Sequence, residues 1–357
     1  MTRLDLPNQL IDHRPNIGGD PGAVLTKGAR FAHLTASRIE VVRSTDALGD
    51  TMNLAEPVGG SPNERSRMMM KEATNGWTEG TIELGEGPVR YREAGQGTPL
   101  LFVHGALVNS HLWDRAAELL SDRFRCILLD LPLGSHPAPM KPGADISPPG
   151  IARMISKLRA DLGAEDAVLI GNDSGGAISQ LVVTSDPTGF AALVLTNCDM
   201  YDKFPPGRFG PIFRAARNPA FLWLLMQTMK VPLNRRSPLA FGPLTKHRIP
   251  DALLDSWVRP GIESAEIRRD FRTVLRGVDP ALTVEAARKM AEFDRPTLFA
   301  WAPEDRLFKI EYAERLAATM PDASIVRIPD ASTFVMLDQP ERLADEIAQF
   351  AGARVAG

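Results

Sequence analysis

The chain has 357 residues, 44% of them hydrophobic, and a formal net charge of -3, so it can bury a large core and offers no basic footprint for nucleic acid. Its two cysteines, Cys126 and Cys198, lie in or beside apolar strand-like runs and read as reduced core thiols rather than a disulfide framework. No metal-spaced Cys/His cluster, phosphate-cradling glycine loop or stretch of membrane-span length occurs, so no metal, cofactor, nucleic acid or membrane is expected as a partner and cytoplasmic residence is the default.

Residues 1–75 are rich in Gly, Pro, Asn and Asp, with one short apolar patch at Ile39-Glu40-Val41-Val42. They are expected to be an extended or disordered segment rather than a domain. There is no signal-peptide core, and the acids are too many for an organellar transit peptide. The triplet Met68-Met69-Met70 leaves two readings open: a natural translation start at that point, or a regulatory tail upstream of it.

Next, Pro99-Leu100-Leu101-Phe102-Val103 is an apolar run of buried-strand length ending in His104-Gly105-Ala106, and Asn109-Ser110 opens a helical pattern through Trp113, Ala117 and Leu120. A second strand, Arg125 to Asp130, runs into Leu131-Pro132-Leu133-Gly134-Ser135. A third ends in Leu169-Ile170-Gly171-Asn172-Asp173-Ser174-Gly175-Gly176, a fourth spans Ala191 to Asn197, and a fifth, Pro296 to Trp301, leads to Glu304-Asp305. Between Cys198 and Asp294 lie Phe213, Phe221 to Met226, Met229, Leu253, Leu254 and Trp257 at largely helical spacings, either the block's own core or an apolar pocket wall. Strands alternating with helices predict an α/β fold with a doubly wound, mostly parallel sheet and functional groups at the strands' C-terminal ends.

The turn around Asp173 carries the chemistry. A nucleophile held in a strained strand-to-helix turn needs small residues two positions away on each side, and Gly171 and Gly175 supply them. Shifting the frame to make Ser174 the nucleophile would put Asn172 in one of the small positions and crowd the turn.

From about Gly80 to Ala351 the chain resembles an α/β-hydrolase of the haloalkane dehalogenase and epoxide hydrolase branch. The resemblance rests on the Asp173 elbow together with His104-Gly105, the Asp130 to Ser135 turn, Asp305 after the seventh core strand, and Asp338-Gln339-Pro340-Glu341-Arg342-Leu343. It implies a core of residues 76–197 and 295–357, a helical cap at 198–294 that excludes water, and an oxyanion hole from the backbone amides of Ala106 and Ser174. It also implies a catalytic histidine where this chain has Thr333. The residue after the nucleophile, which holds the halide in such dehalogenases, is Ser174, and their asparagine after His-Gly is Ala106. Of the three tyrosines, Tyr91, Tyr201 and Tyr312, only Tyr201 lies at the cap, where epoxide hydrolases use two.

Aspartate attack on a carbon bearing a leaving group makes an ester that a general base must help water to cleave. A threonine hydroxyl cannot take that proton. Among the other histidines, His13 and His33 lie in the N-terminal segment, His104 in the oxyanion loop, and His111 and His136 after turns that do not normally face the nucleophile. His247, in the cap, could reach down as a base or be a solvated or structural residue. A water held between Asp173, Asp305 and Thr333 could form an acid/base device, or Asp305 could pair with Arg306. The expected function is a cofactor-free hydrolase of a small to medium hydrophobic substrate, with Asp173 as nucleophile or general base. A lyase, and a non-catalytic ligand-binding protein on the same scaffold, stay open, as does a homodimer.

Overall fold

The computed structural model describes residues 68–74 and 76–355, with side chains from 76 to 353; the expectations for residues 1–67 lie outside the described residues. Nine strands form one sheet in the order β1-β2-β3-β5-β4-β6-β7-β8-β9. They are β1 (Met68–Thr74), β2 (Trp77–Glu83), β3 (Pro88–Ala94), β4 (Pro99–Val103), β5 (Arg125–Leu129), β6 (Val168–Asp173), β7 (Ala192–Cys198), β8 (Thr297–Trp301) and β9 (Ala323–Arg327). From β5 to β9 all neighbours are parallel, and the β1-β2-β3 meander is antiparallel.

The central parallel strands are buried on both faces and largely apolar, whereas the parallel edge strand β9 is partly exposed and carries Ser324 and Arg327. Leu101, Val103, Leu169, Leu193, Leu195 and Phe299 pack into one buried cluster. Their chain neighbours Leu100, Phe102, Ile170, Val194 and Leu298 pack into the other, as the period of two requires. Helices α1 (Asp114–Leu120), α2 (Pro148–Asp161) and α3 (Ser174–Ser185) link these strands, and the expected doubly wound sheet is what forms. Cys126 and Cys198 are free and buried, and burial pushes the Cys126 thiol up to about 12.

Strand β1 falls within residues 1–75, for which the sequence suggests an extended or disordered segment. It pairs with β2 through Thr74↔Trp77 and Glu72↔Glu79, and Gly76 takes φ +83° at the turn. The Asn75-Gly76 dipeptide is a strong hairpin signal that the sequence reading passed over.

Between β7 and β8 run α4 (Gly210–Ala215), α5 (Pro219–Thr228), α6 (Pro232–Arg235), α7 (Asp251–Glu263), α8 (Ala265–Gly277) and α9 (Pro280–Met290). The last of these buries Ala287 and Met290 in the same cluster as Leu193 and Phe299, so α9 packs with the sheet layer. After β8 come α10 (Ile310–Ala317), α11 (Val335–Asp338) and α12 (Pro340–Val355). Among the described residues no helix is long and apolar enough to cross a membrane.

Candidate active site

Strand β6 ends on Asp173 and α3 begins on Ser174, so the chain reverses direction at one residue. Asp173 sits at φ 52°, ψ -132°, which costs a side-chain-bearing residue about 1–3 kcal/mol. The flanking glycines are sterically required. A Cβ on Gly171 would lie 2.5 Å from Ser179 Oγ, and one on Gly175 would lie 2.3 Å from the His104 carbonyl oxygen. Asn172 is fully buried, and its amide donates to Thr196 Oγ1 (2.8 Å), the Asn197 carbonyl (3.0 Å) and the Thr333 carbonyl (2.8 Å). It ties three chain segments together and leaves the turn itself to Asp173.

The carboxylate lies against the loop after β4. A Cβ on Gly105 would come within 2.2 Å of Asp173 Oδ2, so only glycine fits there. The backbone N–H groups of Ser174 and Ala106 face the carboxylate and favour its charged form. His104 fixes this loop: its Nδ1 bonds the Gly105 carbonyl at 2.8 Å and its Nε2 accepts from the Leu131 N–H at 3.0 Å. Burial lowers its pKa, so the ring is neutral and fully engaged. Leu107, at φ 59°, donates to the Leu133 carbonyl and ties the loop to the turn after β5.

Asp305 and Thr333 meet each other. Thr333 Oγ1 donates to Asp305 Oδ2 at 2.9 Å, Asn197 Nδ2 donates to the same oxygen at 3.0 Å, and the Leu307 N–H donates to Oδ1 at 2.8 Å. Both residues are buried, and neither lines the cavity that Asp173 faces. No ion pair joins Asp305 to Arg306 among the described residues. Asp305, offered by the sequence as one end of a water-linked pair with Asp173 or as a partner of Arg306, is held by Thr333, Asn197 and the Leu307 N–H.

One acid escaped the sequence reading. Asp199, the residue after β7, is fully buried, and neither carboxylate oxygen has a hydrogen-bond partner among the described residues, although the Ser174 hydroxyl faces it. Its position directly beyond the strand that begins Ala192-Leu193-Val194-Leu195, at the sheet's C-terminal edge, is the signal that could have found it. Burial holds its pKa well above the carboxylate range, and charge on Asp173 adds to that. Burial also raises Asp173 to about 7, with Asp305 contributing and the Ser174 and Ala106 N–H groups opposing. Burial and mutual repulsion thus both work against a second negative charge on the pair.

The native protein thus holds the Asp173 proton after the unfolded chain has released it. The associated stability is complete below about pH 4 and is lost as pH rises toward about 7. Relative to wild type, Asp173→Asn should gain nothing at pH 4 and about 1–4 kcal/mol at about pH 8, measured by urea unfolding. Asp199→Asn should also gain stability at neutral pH while leaving the Asp173 midpoint near 7, because burial and Asp305, not Asp199, raise Asp173. A midpoint that drops by about one unit or more in a pH titration would place a charge on Asp199 instead.

Above Asp173 is a cavity of about 80 Å³ walled by Ala106, Leu107, Ser174, side chains of α5 such as Leu225 and Met226, Phe241 and Trp257. The indole N–H of Trp257 is buried without a partner among the described residues. No described histidine lines this space. His247 bonds Asp338 at 3.2 Å, His136 bonds Asp270 at 3.3 Å and His111 bonds Asp114 at 2.8 Å. Tyr201 packs on Tyr312, ring centroids 6.4 Å apart, and does not reach the cavity.

A parallel sheet carrying an acid on a strained strand-to-helix turn, with two backbone donors facing it, defines a hydrolase-type scaffold. The chain belongs to the alpha/beta hydrolase family, whose model matches residues 100–346. It is similar to haloalkane dehalogenase 2 of Mycobacterium tuberculosis, with 28% identity over 75% of this chain and 93% of the relative. It is also similar to the uncharacterized hydrolase YugF of Bacillus subtilis, with 26% identity over 73% of this chain and 92% of the relative. The haloalkane dehalogenase loop variant DbeA-M1 from Bradyrhizobium elkanii shares the fold, at TM-score 0.65 and 18% identity over 78% of this chain and 98% of that one.

Proposed function

We propose that the protein is a cofactor-free hydrolase acting on a small hydrophobic substrate, with Asp173 as the nucleophile. The observation that carries this reading is that the Ala106 and Ser174 N–H groups face the Asp173 carboxylate itself. With a serine nucleophile those donors would have to hold an oxygen of the substrate. When water cleaves an aspartyl ester, the negative charge develops on the aspartate's own carbonyl oxygen, and donors already facing it suit that step.

In the first step a carboxylate oxygen of Asp173 bonds to the substrate carbon while the leaving group departs with its electron pair. Trp257 lines the cavity and its indole N–H has no partner among the described residues, so it would serve as a donor to that departing group if the ring turned it inward. In the second step water adds to the ester carbonyl and loses its proton to solvent, since no described imidazole lines the cavity. The adduct then breaks its carbonyl carbon–oxygen bond to release the alcohol and restore the Asp173 carboxylate, and the lack of a base makes this hydrolysis the slow step. A pKa near 7 also suits Asp173 to general-base catalysis, a second reading in which no covalent ester forms.

Intact-mass spectrometry after incubation with alkyl halides, epoxides, esters and lactones separates the two. An adduct mapped to Asp173 supports the nucleophile, and turnover with no adduct in rapid-quench samples supports the general base. Neither adduct nor turnover with any compound would leave a ligand-binding protein.

A further inference from the structure

The segment between β7 and α7 has an unusual charge balance. Residues 203–250 contain nine Lys and Arg and no Asp or Glu, in a chain that is net acidic overall. The same stretch gathers most of the large exposed apolar side chains among the described residues. Of the eight large apolar side chains that are exposed among the described residues, six lie between Phe221 and Leu239, with Trp223 at 51% and Leu233 at 79% exposure. Scattered single apolar residues need no explanation, but such a concentration does.

Helix α5 shows how the patch arises. Its Leu222 and Met226 are buried, Leu225 and Met226 line the cavity, and Phe221, Trp223 and Leu224 face solvent. The helix is apolar on both sides, whereas a helix that only roofs a cavity would be polar outside. Beside it, Arg208, Arg214 and Lys230 are exposed and pair with no carboxylate among the described residues. Leu239 is both 62% exposed and part of the cavity wall, so the outer patch is continuous with the cavity lining.

We propose that this face, from Arg208 to Leu239, docks on an anionic lipid surface, from which a hydrophobic substrate passes to the cavity above Asp173. Tryptophan and leucine beside unpaired cations form the side-chain set that seats in the headgroup region of such a membrane. A second copy of the chain is the poorer occupant, because a two-fold contact would set cations against cations. No spanning helix is needed, so the expectation of no membrane partner, which rested on span length, does not bear on this surface. The docking stands on exposure and charge alone; only the delivery of substrate rests on the reading of Asp173 given above.

The test is co-sedimentation of the full chain with phosphatidylcholine vesicles with and without phosphatidylglycerol. Binding should require the anionic lipid and weaken with added salt. The triple variant Arg208→Glu, Arg214→Glu, Lys230→Glu should bind about 10²-fold more weakly. Trp223→Ser with Leu233→Ser should also lose binding, and circular dichroism should show both variants folded. Absence of binding to anionic vesicles, or binding unchanged by both variants, overturns the proposal. So does retention on poly-glutamate without vesicle binding, which would assign the face to an acidic protein, or a dimer that dissociates in the Trp223→Ser variant. Adduct formation at Asp173 in vesicle-free solution is scored separately, so failure of the docking and failure of the catalytic reading are distinguishable.

Discussion

Incubated with a short alkyl halide or epoxide, the wild-type protein is expected to gain one alkyl mass at Asp173 and to lose it only slowly, while Asp173→Asn gains none and Ser174→Ala behaves as wild type. The amide introduced by Asp173→Asn retains the shape of the side chain but is no nucleophile, so formation of the adduct should fall on the order of 10³-fold or more. Ser174 is the first residue of α3 and its hydroxyl faces Asp199, so its removal leaves the backbone donor in place. Because only the ionised carboxylate attacks, the alkylation rate should fall about tenfold per unit below the Asp173 midpoint near 7 and be level above it. The reverse pattern, an adduct lost in Ser174→Ala and kept in Asp173→Asn, would make serine the nucleophile.

Thr333→His is expected to convert that trapped ester into a turning-over intermediate, speeding its hydrolysis on the order of 10²-fold or more. Thr333 Oγ1 already donates to Asp305 Oδ2, and an imidazole Nδ1–H at this position can make the same bond, leaving the other ring nitrogen free to accept a proton from water. The Asn172 amide holds the Thr333 carbonyl, so the backbone is fixed whatever side chain it bears. Thr333→Val, which loses the hydroxyl and adds no base, is the control and should show no gain. Decay of the Asp173 adduct followed by intact mass checks both variants. An adduct as long-lived in Thr333→His as in wild type would mean that the position cannot serve a base at all.

The central strands were legible because they are buried on both faces, which leaves unbroken apolar runs such as Leu100 to Val103 between turn residues. The meander was not, since Val89-Arg90-Tyr91-Arg92-Glu93 mixes charges into a strand, and Arg92 reaches Asp114 and Glu79 rather than solvent. The elbow could be read from glycine spacing, a steric requirement that local sequence must satisfy. The environment of the acids could not, because it depends on which long-range donors arrive. Asn197 and Thr333 claim Asp305 from separate segments, while nothing similar satisfies Asp199. Sequence order shows that both acids stand at strand ends and is silent about that difference.

The two N–H groups of the Asn172 amide are shared among the side chain of Thr196, the carbonyl of Asn197 and the carbonyl of Thr333. One side chain thereby couples the opening of three segments far apart in the chain. Such a knot has no independent parts to fray, so amide protons at the ends of β6 and β7 and in the Thr333 loop should exchange with solvent as one cooperative unit, at the slow rate of global unfolding rather than that of surface loops.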